Sequence, residues 1–311
     1  MGDDASAEHK LGEEPEHWKH VHNGAAETVE ISSPELSIDI PNICELPLTS
    51  LNWEDVKLPV DIVLFTVEDD EFLSCFAHLK KPERSYHITV GFVYFGFMED
   101  DWGHKIETAL MRCSKGHDGP GGALSAAKDA ILLLRPKALI SVGACRGLNS
   151  KKVKLGDIVV SSKLITPAFQ IPPGRNMNKV IRNIADGWKP PLKNANGYKP
   201  KVHLGALLSI SEANKDIISR YPEAIGVEEE AGGFWTAAHD FNIELLIVKG
   251  IKGFENSSHS SSVNWEKIAC VMAASVVANI LSQATIFQDW PHFNAATSPC
   301  SAASTACTAK S

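Results

Sequence analysis

The chain has 311 residues, 44% of them hydrophobic and 22% charged, with 22 Gly, 17 Pro and a formal net charge of −8. That mixture excludes a collagen, a wholly disordered chain and a coiled-coil rod. The acidic balance argues against a nucleic-acid partner, and the length admits one large or two medium domains with a sizeable core.

Charge is concentrated at the start. Residues 1–60 hold 13 Asp and Glu against 3 Lys and Arg, a net of −10, which leaves +2 for the rest of the chain. Residues 1–58 therefore read as an acidic, disordered leader of low hydrophobicity. The opening MGDDASAEHK has neither a basic n-region nor an apolar h-region, so no signal peptide is expected. The seven cysteines are odd in number, widely spaced and without a CxxC pair, which points to reduced thiols in the cytosol or nucleus, with a cytoplasmic location as the expectation. No stretch approaches the roughly 20 apolar residues of a membrane helix, and no membrane partner is expected.

Between the leader and a small, polar tail (286–311), residues 59–285 alternate strands and helices. Asp61 to Thr66 is a short apolar run, as expected of a strand covered on both faces. Residues 122–134 are rich in helix formers, and Arg135-Pro136 ends that helix. Ala138 to Val142 is a second buried strand, stopped by Gly143, and Asp157 to Ser161 is a third. The segment 166–202, rich in Pro, Asn and Lys, reads as a long excursion or lid. Ala224 to Val227 leads into an acidic triplet and a helix through Ala238, Glu244 to Val248 is a further strand, and Trp265 to Leu281 is a helix. This alternation argues for an α/β domain with a largely parallel sheet.

Neither GxGxxG, GxxxxGK[ST] nor GxSxG occurs where a dinucleotide, P-loop or hydrolase site would need it. Four patterns stand at strand ends, where open α/β sheets bind ligands. They are the acidic cluster Glu68-Asp69-Asp70-Glu71, the glycine-rich turn from Gly116 to Gly122, the run Val142-Gly143-Ala144-Cys145-Arg146-Gly147, and Glu228-Glu229-Glu230 followed downstream by Val248 to Glu255.

Together, and in this order, these patterns resemble the purine nucleoside phosphorylase and uridine phosphorylase superfamily. The resemblance spans about residues 61–283 and is nearest to the methylthioadenosine/S-adenosylhomocysteine nucleosidases and related nucleosidase-like domains. It implies a three-layer α-β-α sandwich with a central mixed, largely parallel sheet, a homo-oligomer, and a small-molecule nucleoside as partner. It also implies cleavage of the N-glycosidic bond of a purine-type nucleoside by hydrolysis or phosphorolysis. No metal or organic cofactor is implied, although inorganic phosphate can serve as co-substrate.

The chemistry explains the residue types. Breaking the bond builds positive charge on the ribose, which carboxylates stabilise while one of them orients water, and an acid at the purine makes the base a better leaving group. Carried over from the resemblance, Glu230 binds the ribose hydroxyls and Glu228 is the first acid of the same motif. Asp70 falls at the water-activating glutamate, one methylene shorter, with Glu71 beside it as the alternative. Gly143, Arg146 and Gly147, with Gly116 in the glycine-rich turn, form the cradle for water or phosphate.

Three departures stand against full activity. Gly253 replaces the purine-protonating Asp, with Glu255 or Asn256 as substitute candidates. Glu229 replaces a methionine of the ribose motif. The aromatic that stacks on the base has no clear counterpart, Phe254 being the candidate. The alternative expectation is therefore a catalytically eroded pseudoenzyme that senses nucleosides or acts as a scaffold.

Overall fold

The computed structural model describes residues 34–211, 215–255 and 264–294. The first part of the expected leader (1–33), Asn256, most of the expected tail (295–311) and Cys300 and Cys307 lie outside the described residues.

Chain order is β1 (Glu35–Leu36), β2 (Ser50–Leu51), β3 (Ile62–Thr66), α1 (Asp69–Phe76), β4 (Lys80–His87), β5 (Gly91–Glu99), β6 (Lys105–Arg112), α2 (Ala123–Leu134), β7 (Ala138–Gly147) and β8 (Ile158–Ile165). There follow β9 (Gln170–Ile171), α3 (Arg175–Ile181), β10 (Leu192–Asn194), β11 (Val202–Ser209), α4 (Lys215–Ser219), β12 (Ala224–Glu228), α5 (Ala231–Asp240), β13 (Glu244–Phe254) and α6 (Trp265–Leu281). Eleven strands form one mixed sheet in the order β12-β11-β8-β13-β7-β3-β6-β5-β4-β2, with β9 added to β8. The centre, β13-β7-β3-β6, is parallel. The β4-β5-β6 end is an antiparallel meander. The remaining two strands, β1 and β10, pair with each other.

The central strands are β-branched and aliphatic because both of their faces are covered. Alternate residues of β3 enter different clusters. Ile62 and Leu64 pack with Ile268, Val271, Met272 and Val276 of α6, whereas Val63 and Phe65 pack with Ala127 and Ile131 of α2 and with Phe234 of α5. Phe65 and Phe234 meet with ring centroids 4.9 Å apart. The α6 helix is apolar almost all round because it is held between the sheet and α1. Its N-cap is Asn264, whose side chain accepts from the Lys267 N–H. Helix α2 ends where Arg135 takes up the left-handed conformation ahead of Pro136.

Several boundaries differ from the sequence reading. Residues 34–58, expected as leader, are structured: β2 pairs with β4, β1 pairs with β10, and Leu46 is buried. Residues 286–294, expected as tail, bury Phe287 and Phe293. Gly143 does not stop β7, which continues to Gly147. The excursion at 166–202 packs Met177, Val180 and Ile181 into the main core and forms no part of the cavity described below. The β4-β6 meander was not anticipated. Among the described residues, no helix is long and apolar enough to cross a membrane.

The close approach of α6 to β13 depends on Gly250. A Cβ there would fall 2.1 Å from the Ala269 carbonyl oxygen, a backbone atom that cannot swing aside. Gly250→Ala is expected to cost about 1–3 kcal/mol through overpacking, read as a lower urea midpoint with an unchanged slope.

Candidate active site

A cavity of about 290 Å³ opens at the C-terminal ends of β3, β7, β12 and β13, beside the N-termini of α1 and α5. Its wall carries six glutamates (Glu68, Glu71, Glu228, Glu229, Glu230 and Glu255) and three cations (Lys115, Arg146 and Lys252). Two of the four sequence patterns meet here by way of acidic residues and the third through Ala144 and Arg146, while the glycine-rich turn touches the site through the Gly116 N–H on Glu230.

Glu71 forms one wall. It is the third residue of α1, and its carboxylate folds back over the helix start, where Oε2 accepts from the Val67 N–H (2.8 Å) and the Glu68 N–H (3.2 Å). Oε1 accepts from the Ala144 N–H on β7 at 2.8 Å. One side chain thus joins the α1 N-terminus to the central strand. Gly143 makes this contact feasible, since a Cβ there would lie 2.1 Å from Glu71 Oε1. Asp70 is absent from the cavity wall. It precedes Glu71 by about 100° of helical rotation and faces α6, where burial pushes its carboxyl up against the opposing pull of Lys267. Of the two acids expected to position water, the structure brings Glu71 to the cavity and leaves Asp70 outside.

Glu228 and Glu230 frame the opposite wall, at the end of β12 and the start of α5. Glu228 Oε2 accepts from the N–H groups of Glu230 (3.1 Å) and Ala231 (2.9 Å), while Oε1 is buried without a hydrogen-bond partner. Burial pushes the Glu228 carboxyl up to about 7, Lys249 pulling it down and the Glu230 charge adding to the rise. Glu230 is buried too, and its Oε1 accepts from the Gly116 N–H at 3.3 Å. That loop docks tightly on α5: a Cβ at Gly232 would fall 2.8 Å from His117 Nδ1, and one at Gly233 would fall 2.7 Å from the His117 carbonyl oxygen.

The counter-charge is a residue that the sequence reading missed. Lys249 of β13 is only 1% exposed and lies in register beside Gly143. Burial works against its charge, but Glu71, Glu228 and Glu230 outweigh that and hold its ammonium above the usual lysine range. The available signal was a lysine inside the otherwise apolar run of β13.

Around the mouth, each cation is held by a carboxylate: Lys115 by Glu229 (3.4 Å), Arg146 by Glu255 (3.3 Å) and Lys252 by Glu266. The expected glycine cradle is not a turn. Gly143 faces Glu71, Gly147 lies against the Phe254 ring, and the N–H groups of Ala144 and Gly116 are engaged by Glu71 and Glu230. Phe254, the stacking candidate, packs under Gly147 and is absent from the cavity wall, whereas Glu255 reaches it. No aromatic side chain lines the cavity among the described residues. Nor is any group of three or more His, Cys, Asp or Glu arranged to hold a metal ion among them.

The wound α/β sheet, with carboxylates gathered at its strand ends, is similar in fold to solved nucleosidases. No family model matches the chain. A death domain-containing ATP nucleosidase of Amphimedon queenslandica is 24% identical over 266 residues, covering 73% of this chain, which spans only 49% of that protein. A 5′-methylthioadenosine/S-adenosylhomocysteine nucleosidase of Buchnera aphidicola is 28% identical over 165 residues, 47% of this chain and 68% of that one. Among solved structures, the adenine complex of the corresponding nucleosidase of Colwellia psychrerythraea superposes with a TM-score of 0.58 at 15% identity, covering 72% of this chain and 96% of that one. The relatives are nucleosidases, and the fold is similar to that of the solved nucleosidases.

Two tests follow from the carboxylate geometry. Gly143→Ala displaces Glu71 from the Ala144 N–H and is expected to cost about 1–3 kcal/mol in chemical denaturation, by overpacking and a broken hydrogen bond. Glu228, raised from 4.5 to about 7, holds its proton more tightly when folded, so its contribution to stability is complete at low pH and is lost as pH rises through about 7. The Tm of the wild type minus that of Glu228→Gln should therefore fall between pH 4.5 and 7, and a rising difference would contradict the assignment.

Proposed function

We propose that the protein hydrolyses the N-glycosidic bond of an adenine nucleoside or its 5′-nucleotide. The observation that carries this reading is the meeting of Glu71, Glu228 and Glu230 around buried Lys249 in one cavity at the strand ends. In this reading Glu230, oriented by the Gly116 N–H, takes the ribose hydroxyls with its other oxygen. Glu71 orients and deprotonates the attacking water, and the carboxylates together stabilise the positive charge that develops on the ribose.

Water is favoured over phosphate as the attacking group. The N–H groups that would cradle an anion already serve carboxylates, and a phosphate would meet the charge of Glu71 directly. The adenine substrates named for the relatives supply the base, and the ATP nucleosidase brings 5′-nucleotides into consideration. Lys115 at the mouth has the charge to meet a 5′-phosphate. The three-layer arrangement, a homo-oligomer and a cytoplasmic location belong to the same proposal, supported by the resemblance and, for the layers, by the helix pairs α1–α6 and α2–α5.

The second reading, a nucleoside sensor without chemistry, is favoured by Gly253, whose position carries no acid. One assay separates the two: adenine release from adenosine, methylthioadenosine, S-adenosylhomocysteine and ATP, with and without phosphate. Phosphate-independent release is expected. Glu71→Gln and Glu230→Gln should each lose about 10²–10⁴-fold in kcat, while Asp70→Asn stays near wild type. Thermal stabilisation by these compounds without any release would leave the sensor reading and remove the enzyme.

A further inference from the structure

One wall of the cavity is built by a bulge. Strand β13 runs in register with β7 as far as Ile251 opposite Cys145, and pairing then resumes with Gly253 opposite Arg146. Lys252 is the extra residue, and bulges of this kind re-aim a side chain next to an active site. Here the Lys252 side chain lines the cavity. Its ammonium is anchored by Glu266, in the first turn of α6. Burial works against the charge, but the Glu266 hydrogen bond and the Glu266 and Glu71 charges outweigh it and hold the ammonium above the usual lysine range. Phe254 turns away beneath Gly147, and Glu255 returns to the cavity with its carboxylate held by Arg146 at 3.3 Å. This wall therefore offers a cationic donor, Lys252, and an anionic acceptor, Glu255, three residues apart.

We infer that Lys252 is the group that stabilises the departing purine, and that Lys252 with Glu255 reads the N7/N6 edge of adenine. This rests on the reading of the cavity as a purine nucleosidase site. Adenine presents an acceptor at N7 and a donor at its 6-amino group, which match an ammonium and a carboxylate in turn. A 6-oxopurine presents two acceptors, and its O6 would face the Glu255 charge.

The chemistry balances without an acid at position 253. The water oxygen bonds to C1′ and gives a proton to Glu71. The C1′–N9 bond breaks and its electron pair passes to the purine, where charge spreads to N7 and meets the Lys252 ammonium. Lys252 keeps its proton. The proton from Glu71 reaches the purine through solvent as the base leaves, and the carboxylate is restored. Electrostatic stabilisation thus takes over from proton transfer at the leaving group. Glu266 is a positioning residue in this scheme, since it touches Lys252 and not the purine.

The test compares leaving groups. Lys252→Met should lose about 10²-fold or more in kcat/KM on the adenine compound that is cleaved best. It should lose far less on p-nitrophenyl β-D-riboside, whose leaving group has no N7 to stabilise. Equal losses on both substrates, or none on either, would overturn the inference while the nucleosidase reading stands. Calorimetry of free bases gives an arm that needs no turnover. The wild type should bind adenine about 10-fold or more tightly than hypoxanthine or 7-deazaadenine, by the penalty for an unmatched polar edge. Glu255→Gln should narrow the gap to hypoxanthine, and Lys252→Met the gap to 7-deazaadenine. Equal binding of all three bases by the wild type would also overturn it. Discrimination that depends on Lys252, in a protein that cleaves nothing, would remove hydrolysis and keep the base-reading role.

Discussion

Three carboxylates buried within one cavity wall cannot all stay charged without a cation among them. Like charges at close range raise one another's proton affinity, and removal from water raises it further. Lys249 meets that constraint. It lies in the core of the sheet, beside Gly143 and behind the acids, so its charge is fixed by the backbone of β13 rather than by a mobile surface chain. Glu71 is tied down by three N–H groups, Glu230 by the Gly116 loop, and Glu228 is left with an unmatched oxygen and a carboxyl pushed upward. The order of the sheet matters to the site chiefly because it brings β3, β7, β12 and β13 to this one ammonium.

Most of the parallel core was legible in the sequence. The run from Ile62 to Thr66, the helix over 123–134 and the helix over 265–281 each have composition and stops that admit one reading. The strand at Ala138 was legible in position but not in length. Glycine at 143 reads as a stop, yet the folded chain uses it to admit the Glu71 carboxylate against a continuing strand. The choice between Asp70 and Glu71 was illegible for a related reason. A run of four acids has no internal phase, and only the start of α1 after Glu68 decides which of them folds back over the helix end.

The rest was hidden by the dependence of meaning on partners. Residues 34–58 are acidic and poor in apolar runs, and they are held by a few pairings to β4 and β10 that composition cannot disclose. The β4-β6 meander is ordinary alternating sequence, without the helix between strands that marks the rest of the sheet. Lys252 looks like a surface lysine at a strand end, and a one-residue slip against β7 turns it inward.

The charges at the mouth are already paired. Lys115, Arg146 and Lys252 each already hold a glutamate of the same chain. An anionic group that reaches these pairs competes with tethered carboxylates that are always at hand. Because these pairs are partly open to solvent, dissolved ions weaken them as well, so that competition varies with the ionic strength around it.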